Sequence, residues 1–317
     1  MNDYLLFKNA ITKGKKYMFN KINKNEFHNH GILGTNRYFF KKNFPNWNLT
    51  HFKRSSDIIS LSLYIKNNLI EITKTKEGQL SLLEATIQTA ISDGINTLDI
   101  SVDYRSAIDF YHMNIDDYLR DLIVLQKKYL SQIIVNYDLG ISRNKYDKKH
   151  YHFIISLIRS KVFNGIDLYG DELSQKITVF KKIFRQAEAQ NMVLKAHVGE
   201  FGTAKDVLKA IKKLHLNMVQ HGISIVNSQK AMKYAKKKGI IFNVCPTSNI
   251  MLNRVDKIEH HPIKEMYLFG LIITINTDDQ LLFESSLFNE FCILHKHKVL
   301  SIKQLNNIRL NSIRIRP

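Results

Sequence analysis

The chain has 317 residues, 44% of them hydrophobic, and carries 47 Lys and Arg against 28 Asp and Glu, a formal net charge of +19. No apolar run approaches the roughly 20 residues of a membrane-spanning helix, and two cysteines, Cys245 and Cys292, are too few for a disulfide framework. The cationic surplus attracts polyanions, yet many lysines fall on helical outer faces, as in 205–213 and 229–238. Charge alone gives only salt-sensitive, non-specific attraction, so a specific nucleic-acid partner is not expected.

Residues 1–23 mix Lys with short apolar pieces and lack both a sustained apolar core and a small-residue cleavage site, which reads as a cytoplasmic lead-in helix. With no Pro/Gly/Ser-rich linker dividing the chain, residues 1–317 are expected to form one soluble domain with reduced thiols. Strand-like apolar runs follow at 25–32, 95–102, 132–139, 162–168, 192–197, 218–225, 240–244 and 271–276. Helical patterns lie between many of them: 178–189 aligns Val179, Phe180, Ile183, Phe184 and Ala187 on one face, and 204–214 aligns Val207, Leu208, Ile211 and Leu214. Such alternation predicts an α/β fold, a parallel sheet covered by helices, and eight units fit a closed (β/α)8 TIM-type barrel. The connection 33–93 is too long for an ordinary βα loop, so it is expected to be a helical insertion forming a pocket wall or lid, with 36–52 irregular. Residues 305–313 suit a closing helix.

Four polar segments interrupt the apolar runs where strands open into loops: His28-Asn29-His30, His197-Val198-Gly199-Glu200, His221-Gly222 and Asn276-Thr277-Asp278-Asp279. In a barrel, reactive residues gather at these strand ends. His28 and His30 are two apart, so an extended chain projects them from one face. Histidine nitrogens with one carboxylate make a borderline-soft site suited to zinc, and an unligated Glu with a further His handles protons. The equipment is that of metal-assisted hydrolysis.

Five segments carry a more specific likeness. Glu26-Phe27-His28-Asn29-His30, the run from Gly165 to Glu172, His197 to Glu200, Val244-Cys245-Pro246-Thr247-Ser248-Asn249 and Thr274 to Asp279 resemble, in that order, the motifs of the adenosine deaminase family of metal-dependent amidohydrolases. The resemblance implies one metal ion held by His28, His30, His197 and Asp278, and the ligand types favour Zn2+ over another divalent transition metal such as iron or manganese. It implies Glu200 as the proton donor to N1 of a purine, His221 orienting the attacking water and stabilising charge on its oxygen, Asp279 at N7 and Gly170 at the N3 side. Ser248 and Asn249 are expected to cap and turn the loop after the seventh strand, and Cys245 to be a small buried hydrophobe.

The expected reaction is zinc-dependent hydrolytic deamination of a 6-aminopurine, adenosine or a close derivative, a small-molecule partner away from any membrane. Alternatives are the same chemistry on adenine, on 5′-modified or N6-substituted adenosine or on AMP, and a catalytically silent basic binding module. A Pro-Cys-x-x-Cys zinc signature of nucleic-acid base deaminases is absent. One departure from the family stands out: its members usually place an acid two positions after the second metal histidine, at the ribose 5′-hydroxyl, and here that position is Ile32. Around it Arg37, Lys41 and Lys42 are the candidate pocket cations.

Overall fold

A computed structural model describes residues 2–56 and 58–315. Eight parallel strands run in sequential order, β1 Asn25–Glu26, β2 Thr97–Asp103, β3 Ile134–Ser142, β4 Phe163–Tyr169, β5 Val193–Val198, β6 Met218–His221, β7 Ile241–Val244 and β8 Ile272–Ile275. The helix Ala204–Leu214 has the expected bounds, capped by a reciprocal pair between Thr203 and Asp206. Across the barrel interior, Lys195 bridges Asp99 at 2.5 Å and Asp138 at 2.7 Å, all three buried. A buried charge of this kind is tolerable only when paired and hydrogen-bonded. No helix among the described residues is long and apolar enough to cross a membrane.

The first expected strand is far shorter than 25–32. Its regular ladder stops at Glu26, and the chain then makes isolated bridges, Asn29 with Asp278 and His30 with Ser101. The interruption is long-range in sequence: the Phe27 N–H donates to the Asn276 side chain at 2.8 Å, where a ladder would need a backbone carbonyl. The Asn29 bridge ties the end of β1 to the chain just after β8, while the His30 bridge keeps it beside β2. The sixth run also ends early, because His221 (φ +59°) and Gly222 (φ +66°) are both left-handed and turn the chain into the short 3-10 segment Ile223–Asn227. Extended backbone cannot pass through two such residues.

The amino-terminal segment forms two helices, α1 Asp3–Thr12 and α2 Lys16–Phe19, divided at Gly14 (φ +64°). Phe7 and Phe19 pack on Phe291 of the carboxy-terminal region. The stretch expected to be irregular contains a helix, α3 Arg37–Asn43, because Asn36 caps it by accepting the Phe39 N–H at 2.9 Å and Phe40 is buried. Two longer helices, α4 Ile58–Thr73 and α5 Lys76–Ser92, complete the insertion after the first strand.

Candidate active site

Four strand ends converge at the carboxy-terminal mouth of the barrel. His28, His30, His197 and Asp278 each present one ligand atom, and these atoms all lie within 4.8 Å of one another. His28 Nε2 is 2.9 Å from His197 Nε2 and 3.3 Å from Asp278 Oδ1, while His30 Nε2 is 3.2 Å from the same oxygen. Outer contacts aim the nitrogens inward. His197 Nδ1 is 3.2 Å from Asp167 Oδ1, and His28 Nδ1 faces the Asn243 carbonyl at 3.4 Å and Cys245 Sγ at 3.3 Å. Three imidazole nitrogens and a carboxylate oxygen directed at one point fit a tetrahedral divalent cation.

Two non-glycine residues of this mouth, His221 and Asp278 (φ +63°), have left-handed backbone. Such conformations cost energy and cluster at functional sites. The bend at Asp278 lets both it and Asp279 turn inward, which a regular strand forbids. Asp279 is 5% exposed, and among the described residues its Oδ1 has no hydrogen-bond partner. Burial, opposed by His30 and assisted by Asp278, pushes its carboxyl up to about 7.

Glu200 follows β5 through Gly199, and its side chain is 7% exposed with Oε2 3.4 Å from His221 Nε2. Burial first, then the charges of Asp278 and Glu172, hold its carboxyl well above the usual range. His221 is shifted well below the usual imidazole range, by burial and next by the charge of His28. The site therefore pairs a carboxyl inclined to keep its proton with an imidazole inclined to stay neutral. Cys245 is fully buried and its thiol is pushed well upward by burial, in keeping with a packing role.

Ser248 and Asn249 do more than turn backbone. Ser248 Oγ donates to Asp278 Oδ2 at 2.7 Å, and Asn249 Nδ2 meets both Glu200 Oε1 at 2.9 Å and His221 Nδ1 at 3.2 Å. The helix Pro246–Met251 begins at the end of β7, so its first turn lies across the barrel mouth. Glu172, the last residue of the second family-like segment, has a role that the segment alone does not reveal: its carboxylate accepts the N–H groups of Gly199, Glu200 and Gly202. Arg143 ties that clamp down, donating to the Glu172 carbonyl at 2.6 Å and the His197 carbonyl at 2.7 Å.

A cavity of about 550 Å³ opens beside His30, between α4, α5 and the end of β2. Its size is that of a small-ligand site. Ile32 lines it, as does Tyr169, whose ring lies edge-on to His30 at 5.4 Å. Gly170 follows Tyr169 with φ +83°, and a Cβ there would meet Asn144 Oδ1 at 2.6 Å, so its own loop requires glycine whatever binds nearby. Arg37, Lys41 and Lys42 are not among the cavity's lining residues. Arg37 pairs with Glu284 at 2.9 Å and Lys41 reaches the Trp47 carbonyl. The cations that do line it are Lys66, Lys74, Lys76, Arg105 and Lys145.

Residues 139–316 match the family model described as adenosine deaminase. The chain belongs to the adenosine deaminase family. It is 37% identical over 210 residues, 66% of this chain and 70% of the other, to a Treponema pallidum protein described as an adenosine/adenine deaminase. Identity to the adenosine deaminase of Clostridium botulinum is 27% over 268 residues, 81% and 79% of the two chains. Among solved structures, an adenine deaminase from Arthrobacter aurescens superposes with a TM-score of 0.78 at 21% identity, covering 92% of each chain. The Arabidopsis N6-mAMP deaminase does so at 0.76 and 16% identity, covering 94% of each. At those identities the structural likeness establishes the (β/α)8 barrel of this family member.

Proposed function

We propose that this chain is a single-domain cytoplasmic hydrolase that deaminates a 6-aminopurine, adenosine or a close derivative, releasing ammonia and leaving a 6-oxopurine. His28, His30, His197 and Asp278 would hold one Zn2+, which when bound lowers the pKa of a water ligand to about 7. The supporting observation is the contact between Glu200 and His221 at the edge of that ligand set, 3.4 Å apart. Glu200, kept protonated by burial, donates to N1 of the purine as water adds at C6. His221 orients that water and stabilises the charge that grows on its oxygen. Asp279 offers its unpartnered oxygen at the N7 side, and Gly170 borders the N3 side. Incubating zinc-loaded protein with adenosine, adenine, 5′-deoxyadenosine and AMP while following ammonia tests the reading. Release from none of them contradicts it.

A second reading, deamination of a 5′-phosphorylated purine, draws on the cavity's cations. Lys74, Lys76 and Arg105 are engaged by Glu71, Asp121 and Asp109, whereas Lys66 and Lys145 form no ion pair among the described residues. A preference for AMP over adenosine that collapses on removing Lys66 and Lys145 supports it. Equal use of both substrates opposes it.

A further inference from the structure

A chain of hydrogen bonds runs from a backbone amide to both proposed proton-handling residues, and its direction is determined at one end. Ile263 opens the helix Ile263–Phe269, where the first N–H groups lack intrahelical acceptors. Its N–H donates to His261 Nδ1 at 3.1 Å. That nitrogen must therefore be unprotonated, so neutral His261 carries its proton on Nε2. His261 is 3% exposed, and burial lowers it to about 3, which keeps it neutral.

The next two links follow without choice. His261 Nε2 lies 3.2 Å from Asn249 Oδ1, so the Asn249 oxygen accepts there and its amide nitrogen must face the opposite way. An amide can otherwise be turned over at little cost, and here the histidine decides. The Asn249 backbone is also pinned, its N–H donating to the Cys245 carbonyl and its own carbonyl accepting from Arg254 and Val255. Asn249 Nδ2 then supplies one N–H to Glu200 Oε1 at 2.9 Å and one to His221 Nδ1 at 3.2 Å. Accepting at Nδ1 leaves the proton of neutral His221 on Nε2, the nitrogen that faces Glu200 Oε2 at 3.4 Å and Asp278 Oδ2 at 3.7 Å.

We propose that His261 and Asn249 are positioning residues that fix His221 as its Nε2–H tautomer and reserve Glu200 Oε2 for the transferred proton. The inference rests on the deaminase roles proposed for Glu200 and His221. It makes an N–H donor, and not a lone pair, the group that His221 presents toward the reacting oxygen. It also gives Glu200 a fixed acceptor oxygen, so that only the other can hold the acidic proton.

The test is long-range 1H–15N correlation spectroscopy on zinc-loaded protein labelled with [15N]histidine, with His221→Ala and His261→Phe spectra assigning the two rings. Both rings are expected as neutral Nε2–H tautomers in the wild-type protein. In His261→Phe, His221 is expected to lose its single tautomer and kcat to fall about 10–100-fold with little change in KM, the usual range for outer-shell partners. His261→Gln retains an N–H donor and is expected to recover most of that loss. A wild-type His221 found as Nδ1–H or as imidazolium overturns the proposal, as does a folded His261→Phe with unchanged tautomer and kcat. The wild-type spectrum decides even if a variant fails to fold. Because that spectrum needs no turnover, the correct tautomers in a protein that deaminates no aminopurine would sink the deaminase reading while leaving the hydrogen-bond chain that fixes His221 standing.

Discussion

Ser248 Oγ lies 2.7 Å from Asp278 Oδ2, while the other oxygen of the same carboxylate, Oδ1, faces His28 and His30. The hydroxyl thus holds one oxygen and leaves its neighbour directed at the proposed metal. Outer-shell contacts of this kind are typically worth 10–100-fold in affinity. Ser248→Ala is accordingly expected to weaken zinc binding by about that factor, measured by competition with a chelator. Unchanged affinity in the folded variant contradicts this role.

The Glu172 clamp leads to a stability prediction. Its buried carboxylate serves three backbone N–H groups of the loop that carries Glu200. Removing the carboxylate leaves one buried and two part-buried donors unsatisfied, at about 1–3 kcal/mol for a donor that water cannot reach. Glu172→Ala should therefore cost roughly 2 kcal/mol of unfolding free energy, visible as a lower urea midpoint. Amide exchange at Gly199, Glu200 and Gly202 should accelerate as well. Protection factors equal to wild type at all three would show that the loop is held by something else.

Acid–base linkage gives a third expectation. Burial, opposed by the bonds from Ser285 and Thr247, raises the Glu290 carboxyl to about 7 from an ordinary value of 4.5. Between those values the folded chain binds more protons than the unfolded one, so this residue's contribution to stability is fully present below pH 4.5 and fades as the pH rises through 7. Glu290→Gln should flatten the stability profile across that window relative to wild type. An identical slope in both proteins rejects the assignment.

Ile32 bears on specificity. It lines the cavity and cannot accept a hydrogen bond from a 5′-hydroxyl, whereas a pocket built around such a bond rejects analogues lacking it. We expect 5′-deoxyadenosine to be deaminated at least as efficiently as adenosine. A fall in kcat/KM of about 100-fold, roughly 2.7 kcal/mol, on removing the hydroxyl would mean that another group replaces the missing acid.

The parts of this fold that could be read from sequence are those that repeat locally. Apolar periodicity located the helix Ala204–Leu214 to the residue, and the apolar runs located eight strands. The helix Arg37–Asn43 was missed because its clearest local signal is one capping residue, Asn36, inside a stretch rich in Phe, Asn and Lys. The length of β1 was misjudged for another reason. Its ladder is cut short by the side chain of Asn276, some 250 residues away, which no local pattern reports. Site support was hidden in the same way. Ser248, Asn249 and Glu172 lie within family-like segments and His261 outside them, but the partners of all four are fixed only when the barrel brings strand ends together.

In the proposed reaction Glu200 moves a proton while four other residues hold the metal. The most direct test is the turnover of zinc-loaded Glu200→Gln, with bound zinc quantified in the same sample. One zinc per chain and a loss of about 10²–10⁴-fold in kcat are expected, because the amide keeps the shape and hydrogen-bonding span of the acid while lacking its acidic proton. Wild-type turnover in a zinc-replete sample would contradict that role.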